Sequence, residues 1–223
     1  MSKKSVAIGD KLLFGSYMWR VLDMSGGKAL LITDDVIGVK KKHDYSKEGV
    51  SCSESCCDVQ KYLNGEFLEG FSEAERVSIA ECDVRTKIDF VHYFEEYDPA
   101  KASYRETRAK IFLLDDEEAE RYFRDDQDRI AVFKYTSKAL QYSGGNSHWR
   151  KAYASERARL KAHGSLPVTW WLRNQTNFDS GWHSYTRTGY VDCEGKIDLA
   201  SGLMFEGLRP ACWVNIDGFE REI

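Results

Sequence analysis

The sequence predicts an α+β fold, in which a mixed, mainly antiparallel sheet is flanked by two or three helices and long loops. Three separated stretches are apolar or alternate between apolar and polar residues, which is typical of strands in one sheet. These stretches are residues 14–23, 170–173 and 207–213. Only three prolines occur, and no repeat or proline-rich linker divides the chain. We therefore expect residues 1–223 to form a single domain.

The composition limits the classes of protein to which the chain can belong. Of its 223 residues, 42% are hydrophobic and 13% are aromatic, which is enough to bury a sizeable core. The formal net charge of -4 gives no overall attraction for a polyanion, so nucleic acid is not an expected partner. No segment has the apolar length of a signal peptide core or a membrane span. We expect a soluble, cytoplasmic protein without membrane insertion, and a phage particle component made in the cytoplasm would have the same composition.

The first third of the chain favours three meandering antiparallel strands. Residues 11–14, 19–23 and 29–33 are apolar or alternating, and short segments rich in glycine and serine separate them. The lysine run at residues 40–42 follows and predicts a solvated loop.

The middle of the chain contains apolar residues at helical spacing. Residues 58–67 have this spacing, although Asn64-Gly65 interrupts it and indicates a helix end there. Ser72 and Glu75 have the spacing of a capping box, which predicts a helix with Val77 facing the core.

Four further segments complete the central region. Residues 83–110 are polar and poorly periodic, as expected of a long connecting segment. Residues 111–114 form an apolar run typical of a buried strand. Residues 115–123 begin with acids, which favour a helix start. A second, basic helix is predicted for residues 150–163.

The segment near residue 170 has the alternation of a strand. Alternation places Trp170 and Leu172 on one face and Trp171 and Arg173 on the other. We therefore expect one tryptophan in the core and the other beneath the Arg173 guanidinium.

A polar and aromatic run follows this strand at residues 174–187. Aromatic rings provide contact area at small entropic cost, and amides and hydroxyls provide adaptable hydrogen bonds. The run therefore predicts a recognition loop for a protein or glycan ligand, although an ordinary polar loop has the same composition. Residues 189–199 then favour a hairpin, and residues 207–216 a closing strand. The predicted ligand-binding residues are Arg173, Asn174, Asn177, Asp179, Trp182, His183, Tyr185 and Arg187.

Several motifs in combination resemble a bacterial and phage domain of unknown function, and the resemblance covers nearly the whole chain. The motifs are Phe14-Gly-x-Tyr-x-Trp-Arg-Val-Leu-Asp23, Tyr62-Leu-Asn-Gly-Glu-Phe67, Phe71-Ser-x-x-Glu75, Ile111-Phe-Leu-Leu114, Glu118-Ala-x-x-Tyr-Phe123, Trp170-Trp-Leu-Arg173 and Gly207-x-Arg-Pro-Ala211. The chain departs from the family pattern at Cys57, Gln60 and Asp115.

The terminal signature of that domain is similar to C-type-lectin-like folds. These include formylglycine-generating enzymes and the variable receptor-binding proteins of diversity-generating retroelements. The resemblance implies that the first and last strands pair, that two helices flank the sheet, and that an irregular loop region displays the ligand-binding residues. The calcium motifs of true C-type lectins, Glu-Pro-Asn and Trp-Asn-Asp, do not occur in this sequence.

The sequence contains none of the common motifs for zinc, serine-hydrolase or nucleotide chemistry. We therefore predict no catalytic residues, no metal site, no cofactor and a non-catalytic binding module. Its six cysteines form no C-x-x-C pair, and they favour a reducing compartment. Two alternatives stay open: a cysteine-dependent enzyme of the formylglycine-generating kind using Cys193 or Cys212, and a structural phage accessory protein.

Overall fold

The computed structural model describes residues 6–41, 58–92, 96, 98–134, 163–180, 182, 184–202 and 204–216. Within these residues the structure is mainly antiparallel sheet with short helices, which confirms the predicted mixture of helix and sheet. Most of the helix predicted for residues 150–163 lies outside the described residues.

The strands form two large sheets and a two-stranded ribbon, whereas the sequence predicted a single sheet. The first sheet has the order β1-β2-β3-β15-β5, and β8 also pairs with β15. Its strands are β1 (Lys11–Phe14), β2 (Tyr17–Ser25), β3 (Lys28–Thr33), β5 (Ile79–Ala80), β8 (Ile111–Phe112) and β15 (Ala211–Asn215). The first three confirm the predicted meander. The edge strand β1 pairs with β2 and not with the last described strand, so the pairing implied by the lectin-like resemblance is wrong.

The second sheet has the order β13-β12-β11-β14-β4, and β6 joins it along another part of β11. Its strands are β4 (Gly38–Lys41), β6 (Cys82–His92), β7 (Ser103–Ala109), β11 (Trp170–Asp179), β12 (Ser184–Val191), β13 (Ile197–Ser201) and β14 (Phe205–Leu208). The ribbon pairs β9 (Ala131–Lys134) with β10 (Ser165–Val168). β11 runs parallel to β6 and β14, and the other pairs in this sheet are antiparallel.

Two predictions about this sheet are wrong. Residues 83–110 were expected to be a long connecting segment, but they contain most of β6 and all of β7, which form one antiparallel pair. The lysine run expected in a loop begins inside β4, which pairs with β14 through Lys40 and Glu206.

The helices are short, and three of them lie where the sequence predicted them, whereas the helical segments at residues 99–101 and 126–129 were not predicted. The helical elements are α1 (Asp58–Tyr62), which continues as a π-helical turn (Leu63–Phe67), α2 (Glu73–Ser78), a 3-10 turn (Pro99–Lys101), α3 (Asp116–Tyr122) and α4 (Asp126–Arg129). The Ser72 capping box is present, and Asp115 forms a second one with Glu118. Val77 is 73% exposed rather than buried, because α2 turns this residue away from the core. None of the described helices is long and apolar enough to cross a bilayer.

The first sheet lies between two apolar clusters. Ala29 and Leu31 of β3 belong to one cluster, and Leu30 and Ile32 belong to the other. Because successive side chains point to opposite faces, a strand covered on both faces reads as a continuous apolar run. This explains the sequence of β3.

The chain passes from the second sheet to the first at Arg209 and Pro210, so the predicted closing strand is two strands. Arg209 is fully buried, and its guanidinium lies between the rings of Trp170 and Phe123, at 5.1 and 4.9 Å from their centres. Its Nε donates to the Thr33 carbonyl at 2.9 Å. Burial lowers the pKa of this guanidinium to about 9. The buried arginine therefore joins the two sheets through ring contacts and carbonyl hydrogen bonds.

Candidate functional site

β11 lies in the middle of the second sheet and carries four of the eight predicted ligand-binding residues. The sequence predicts a loop after Arg173, but the strand continues to Asp179 and forms a hairpin with β12. The prediction is wrong because a run of amides and hydroxyls is compatible with a strand whose neighbours supply the backbone hydrogen bonds. The hairpin has a buried proximal half and an exposed distal half.

Arg173 is buried and belongs to the core of the proximal half. Its Nη2 donates to Asp115 Oδ2 at 2.8 Å, and its Nη1 is paired with Glu118 Oε2. The same guanidinium donates to the carbonyls of Leu113 and Arg85, both at 2.7 Å. Arg173 therefore holds the start of α3 against β11.

The carboxyl of Asp115 shows the cost of placing this ion pair inside the protein. Burial raises the pKa of Asp115 to about 6, and the Arg173 charge opposes part of that rise. Asp115 also accepts the Glu118 backbone amide at 2.8 Å as the N-cap of α3. One carboxylate therefore satisfies both a helix end and a buried guanidinium.

The two tryptophans of the Trp170-Trp171 pair are both fully buried. Trp170 lies in one apolar cluster and Trp171 in the other. The expected stacking of a tryptophan beneath Arg173 is therefore wrong, since the Arg173 guanidinium lies 5.9 Å from the Phe112 ring. The tryptophan that contacts an arginine is Trp170, beneath Arg209.

Asn174 is also buried, at a bulge where β11 loses register with β12 between Trp171 and Gln175. A Cβ on Gly189 would lie 2.2 Å from Asn174 Oδ1, so the side chain fills the space that glycine leaves on the neighbouring strand. Within the described residues, Asn174 Oδ1 and Gln175 Nε2 are buried without a hydrogen-bond partner. A buried water commonly forms a hydrogen bond with such an atom.

The distal half of the hairpin is exposed and aromatic. The rings of Phe178 and Tyr185 stack with centres 5.0 Å apart and planes at 10°. The Arg187 guanidinium lies 5.7 Å from the centre of each ring. On the opposite face of the hairpin, the Thr186 hydroxyl donates to Asn177 Oδ1 at 2.7 Å. Both faces are therefore ordered by contacts between the two strands.

The end of the hairpin carries the most exposed aromatic residue among the described residues. Trp182 is 87% exposed. Asp179, at the end of β11, is exposed and lies opposite Ser184 in the register. His183 lies outside the described residues.

The same face of the sheet continues onto β6 and β7, where Arg85 and Arg187 are exposed and Thr176 and Asp89 between them are buried. Thr176 is in register with both Arg187 and Asp89, so these side chains share a face, and alternation places Arg85 on it as well. The Arg85 guanidinium lies 3.7 Å from the centre of the Tyr104 ring. We call this surface the distal face. It is defined by Arg85, Tyr104, Phe178, Tyr185 and Arg187.

A half-buried carboxylate, Glu206 of β14, was not singled out from the sequence. Its partner is the Thr169 hydroxyl, and Lys40 lies opposite it in β4. Lys40 Nζ lies 3.9 Å from the centre of the Tyr62 ring. Burial raises the pKa of Glu206 to about 7. The sequence gives no sign of this pKa shift. Its cause is the burial of Glu206, which the neighbouring hydroxyl and lysine do not predict.

The cysteines of the alternative enzyme hypothesis lie in different surroundings. Cys193 is exposed in the turn between β12 and β13, whereas Cys212 is fully buried in β15 of the first sheet. Burial raises the pKa of the Cys212 thiol well above its usual range, which disfavours the nucleophilic thiolate. Among the described residues, no cluster of three or more His, Cys, Asp or Glu side chains has an arrangement that could hold a metal ion.

Residues 26–216 match the family described as Domain of unknown function (DUF6273). The chain belongs to this family. The DUF6273 match includes the Trp170-Trp-Leu-Arg173 and Gly207-x-Arg-Pro-Ala211 motifs, and the structure assigns both to the core of the second sheet and its junction with the first. Comparisons with curated proteins and with solved structures find no match.

Proposed function

We propose that this DUF6273 chain is a non-catalytic binding module that recognises a protein or glycan ligand through the distal half of the β11–β12 hairpin. The observation that supports the proposal is the exposure of Trp182 at 87%, beside the stacked pair of Phe178 and Tyr185. Burying an aromatic side chain of this size against a partner is worth roughly 1.5–3 kcal/mol. An aromatic residue left in water at the end of an ordered hairpin favours a contact surface.

The eight residues predicted from the sequence divide into two groups under this proposal. Arg173 and Asn174 are buried in the proximal half of the hairpin and support its structure. The other six are Asn177, Asp179, Trp182, His183, Tyr185 and Arg187, of which His183 lies outside the described residues. The proposed binding residues are these six, together with Phe178, whose ring stacks on Tyr185.

The lectin-like fold, the source and the diversified receptor binder implied by the resemblance are part of the same proposal. A C-type-lectin-like fold would account for the mainly antiparallel sheet with short helices but not for the pairing of the first strand, and a bacterial or phage source stays a prediction. A diversified receptor binder would vary at hairpin positions whose side chains are exposed, because changes there leave the core intact. The encoding DNA tests this version: a nearby, nearly identical copy should differ only at adenine positions, and the lack of such a copy contradicts it.

The proposal is tested by presenting the purified chain to glycan and protein arrays and repeating each positive interaction with variants. W182A and Y185A should weaken binding by about tenfold or more, because each removes buried contact area. L13A is the matched control, since Leu13 is 70% exposed on the edge strand β1 and lies outside the hairpin. Interactions that W182A and Y185A leave unchanged would show that the hairpin does not bind the ligand.

A further inference from the structure

We propose that the partner is a protein segment with acidic side chains, and that Arg187 and Arg85 of the distal face each bind one carboxylate of that segment. This inference rests on the proposed function. It adds the chemistry of the ligand and the two residues that select it.

Arg187 has the arrangement of an arginine prepared for a carboxylate. Its guanidinium is held over Phe178 and Tyr185 at 5.7 Å from each ring centre, and it is exposed. It forms no ion pair with any residue that the structure describes. Two rings that limit the movement of the side chain reduce the entropy lost when it binds, and the planar guanidinium matches a carboxylate with two parallel hydrogen bonds.

Arg85 repeats this arrangement on β6. Its guanidinium lies 3.7 Å from the centre of the Tyr104 ring, and Tyr104 is itself 44% exposed. Glu106 lies directly opposite Arg85 in the strand register, but the two form no ion pair within the described structure. Arg85 therefore offers a second exposed cation, and Glu106 competes with any acidic ligand for it.

The charged groups between the two arginines pair with one another, and one lysine with two carboxylates leaves a net negative charge there. Lys87 Nζ lies 3.6 Å from Asp89 Oδ2 and 3.5 Å from Glu117 Oε1. Arg85 and Arg187 are therefore the cations of this face that remain to attract a ligand from solution.

The spacing of the two arginines sets the length of the segment they bind. Arg85 is four residues before Asp89, which is level with Arg187 two strands away. With about 3.3 Å per residue along a strand and about 4.8 Å between strands, the two positions are about 16 Å apart. An extended segment covers this distance in about five residues.

The surface favours a protein over a glycan. Trp182 is 87% exposed and both arginines are exposed on strands, whereas small ligands and sugars bind most tightly in concave sites. Tryptophan, tyrosine and arginine are also the residues most enriched among those that dominate protein–protein binding.

The experiment is a selection from a displayed library of random peptides, followed by affinity measurements on the selected peptides. The wild-type chain should enrich peptides with two acidic positions about five residues apart. R187Q and R85Q should each weaken binding by about tenfold, because each removes a charge-assisted hydrogen-bond pair. R187K keeps the charge but loses the planar fork, so it should recover only a small part of the affinity. E106Q should strengthen binding a few-fold, because it removes the competing carboxylate.

The outcomes separate this inference from the proposed function. Selected peptides that depend on Trp182 but contain no acidic positions, and that bind R187Q and R85Q normally, would overturn the inference and leave hairpin binding in place. A ligand found only on the glycan array would overturn it in the same way. Failure to select any peptide or array ligand that depends on Trp182 would overturn both. Circular dichroism of each variant checks that it has folded, and exposed substitutions at these positions should not affect folding.

Discussion

Arg173 Nη2 lies 2.8 Å from Asp115 Oδ2, and both side chains are buried. The pair joins the middle of β11 to the first residue before α3, which is separated from it by 58 positions in the sequence. A buried pair of this kind is a weak source of stability when intact, but it is costly to break.

Substitution of Arg173 should therefore destabilise the protein strongly. R173A leaves Asp115 buried without its cation, which should lower the free energy of unfolding by about 3–5 kcal/mol. Equilibrium unfolding in urea measures the change. The double variant R173M/D115N removes both charges and keeps an N-cap for α3, so it should be clearly more stable than R173A. Equal stability of the two variants would contradict this account of the pair.

The protein should also lose part of its stability as pH rises, through Glu206. Burial raises the pKa of this carboxyl from its ordinary 4.5 to about 7 in the folded chain. The folded state therefore holds the proton more tightly than the unfolded state. The contribution of protonated Glu206 to stability is fully present below pH 4.5 and is lost as pH rises through about 7.

Urea unfolding at pH 5 and at pH 8, compared between wild type and E206Q, measures this contribution. The wild type should lose more stability than E206Q between these two pH values. E69Q is the control, since Glu69 is an exposed glutamate outside both sheets. A difference between wild type and E206Q that does not change with pH would contradict the prediction.

The contact between Gly189 and Asn174 predicts a coupled pair of substitutions. G189A should destabilise the protein by about 1–3 kcal/mol, because the new Cβ would lie 2.2 Å from Asn174 Oδ1. In an N174A background the same change should cost much less, since the clashing atoms are absent. A double-mutant cycle of unfolding free energies measures the coupling. Additive effects would show that Asn174 does not require the glycine.

The elements that the sequence predicted correctly depend on local signals. The capping box of Ser72, the helix that begins with acids after Asp115 and the meander of the first three strands are set by neighbouring residues. The hairpin that ends at β13 also follows from local alternation and from Gly195, which has a φ of +89° in the turn.

The elements that were missed depend on distant partners. β6 and the distal half of β11 have polar, half-exposed sequences that become strands because they pair with each other. No local pattern distinguishes such a segment from a loop. The same applies to the change of sheet at Arg209, whose carbonyl partners come from the far end of the chain. For the site, residue type predicted the aromatic end of the hairpin, but the burial of Arg173 follows only from the position of α3.

The place of β15 in the first sheet has a consequence for the protein during its synthesis. Arg209, next to β15, donates to Thr33 across 176 positions of the chain. At roughly 5–20 residues per second, a ribosome needs about 10 to 35 s to add those residues. Throughout that interval the apolar edge of β3 has no partner from the end of the chain, and unpaired edges of this kind promote aggregation. The edge of β3 is therefore open to wrong partners for most of the time that the chain takes to be made.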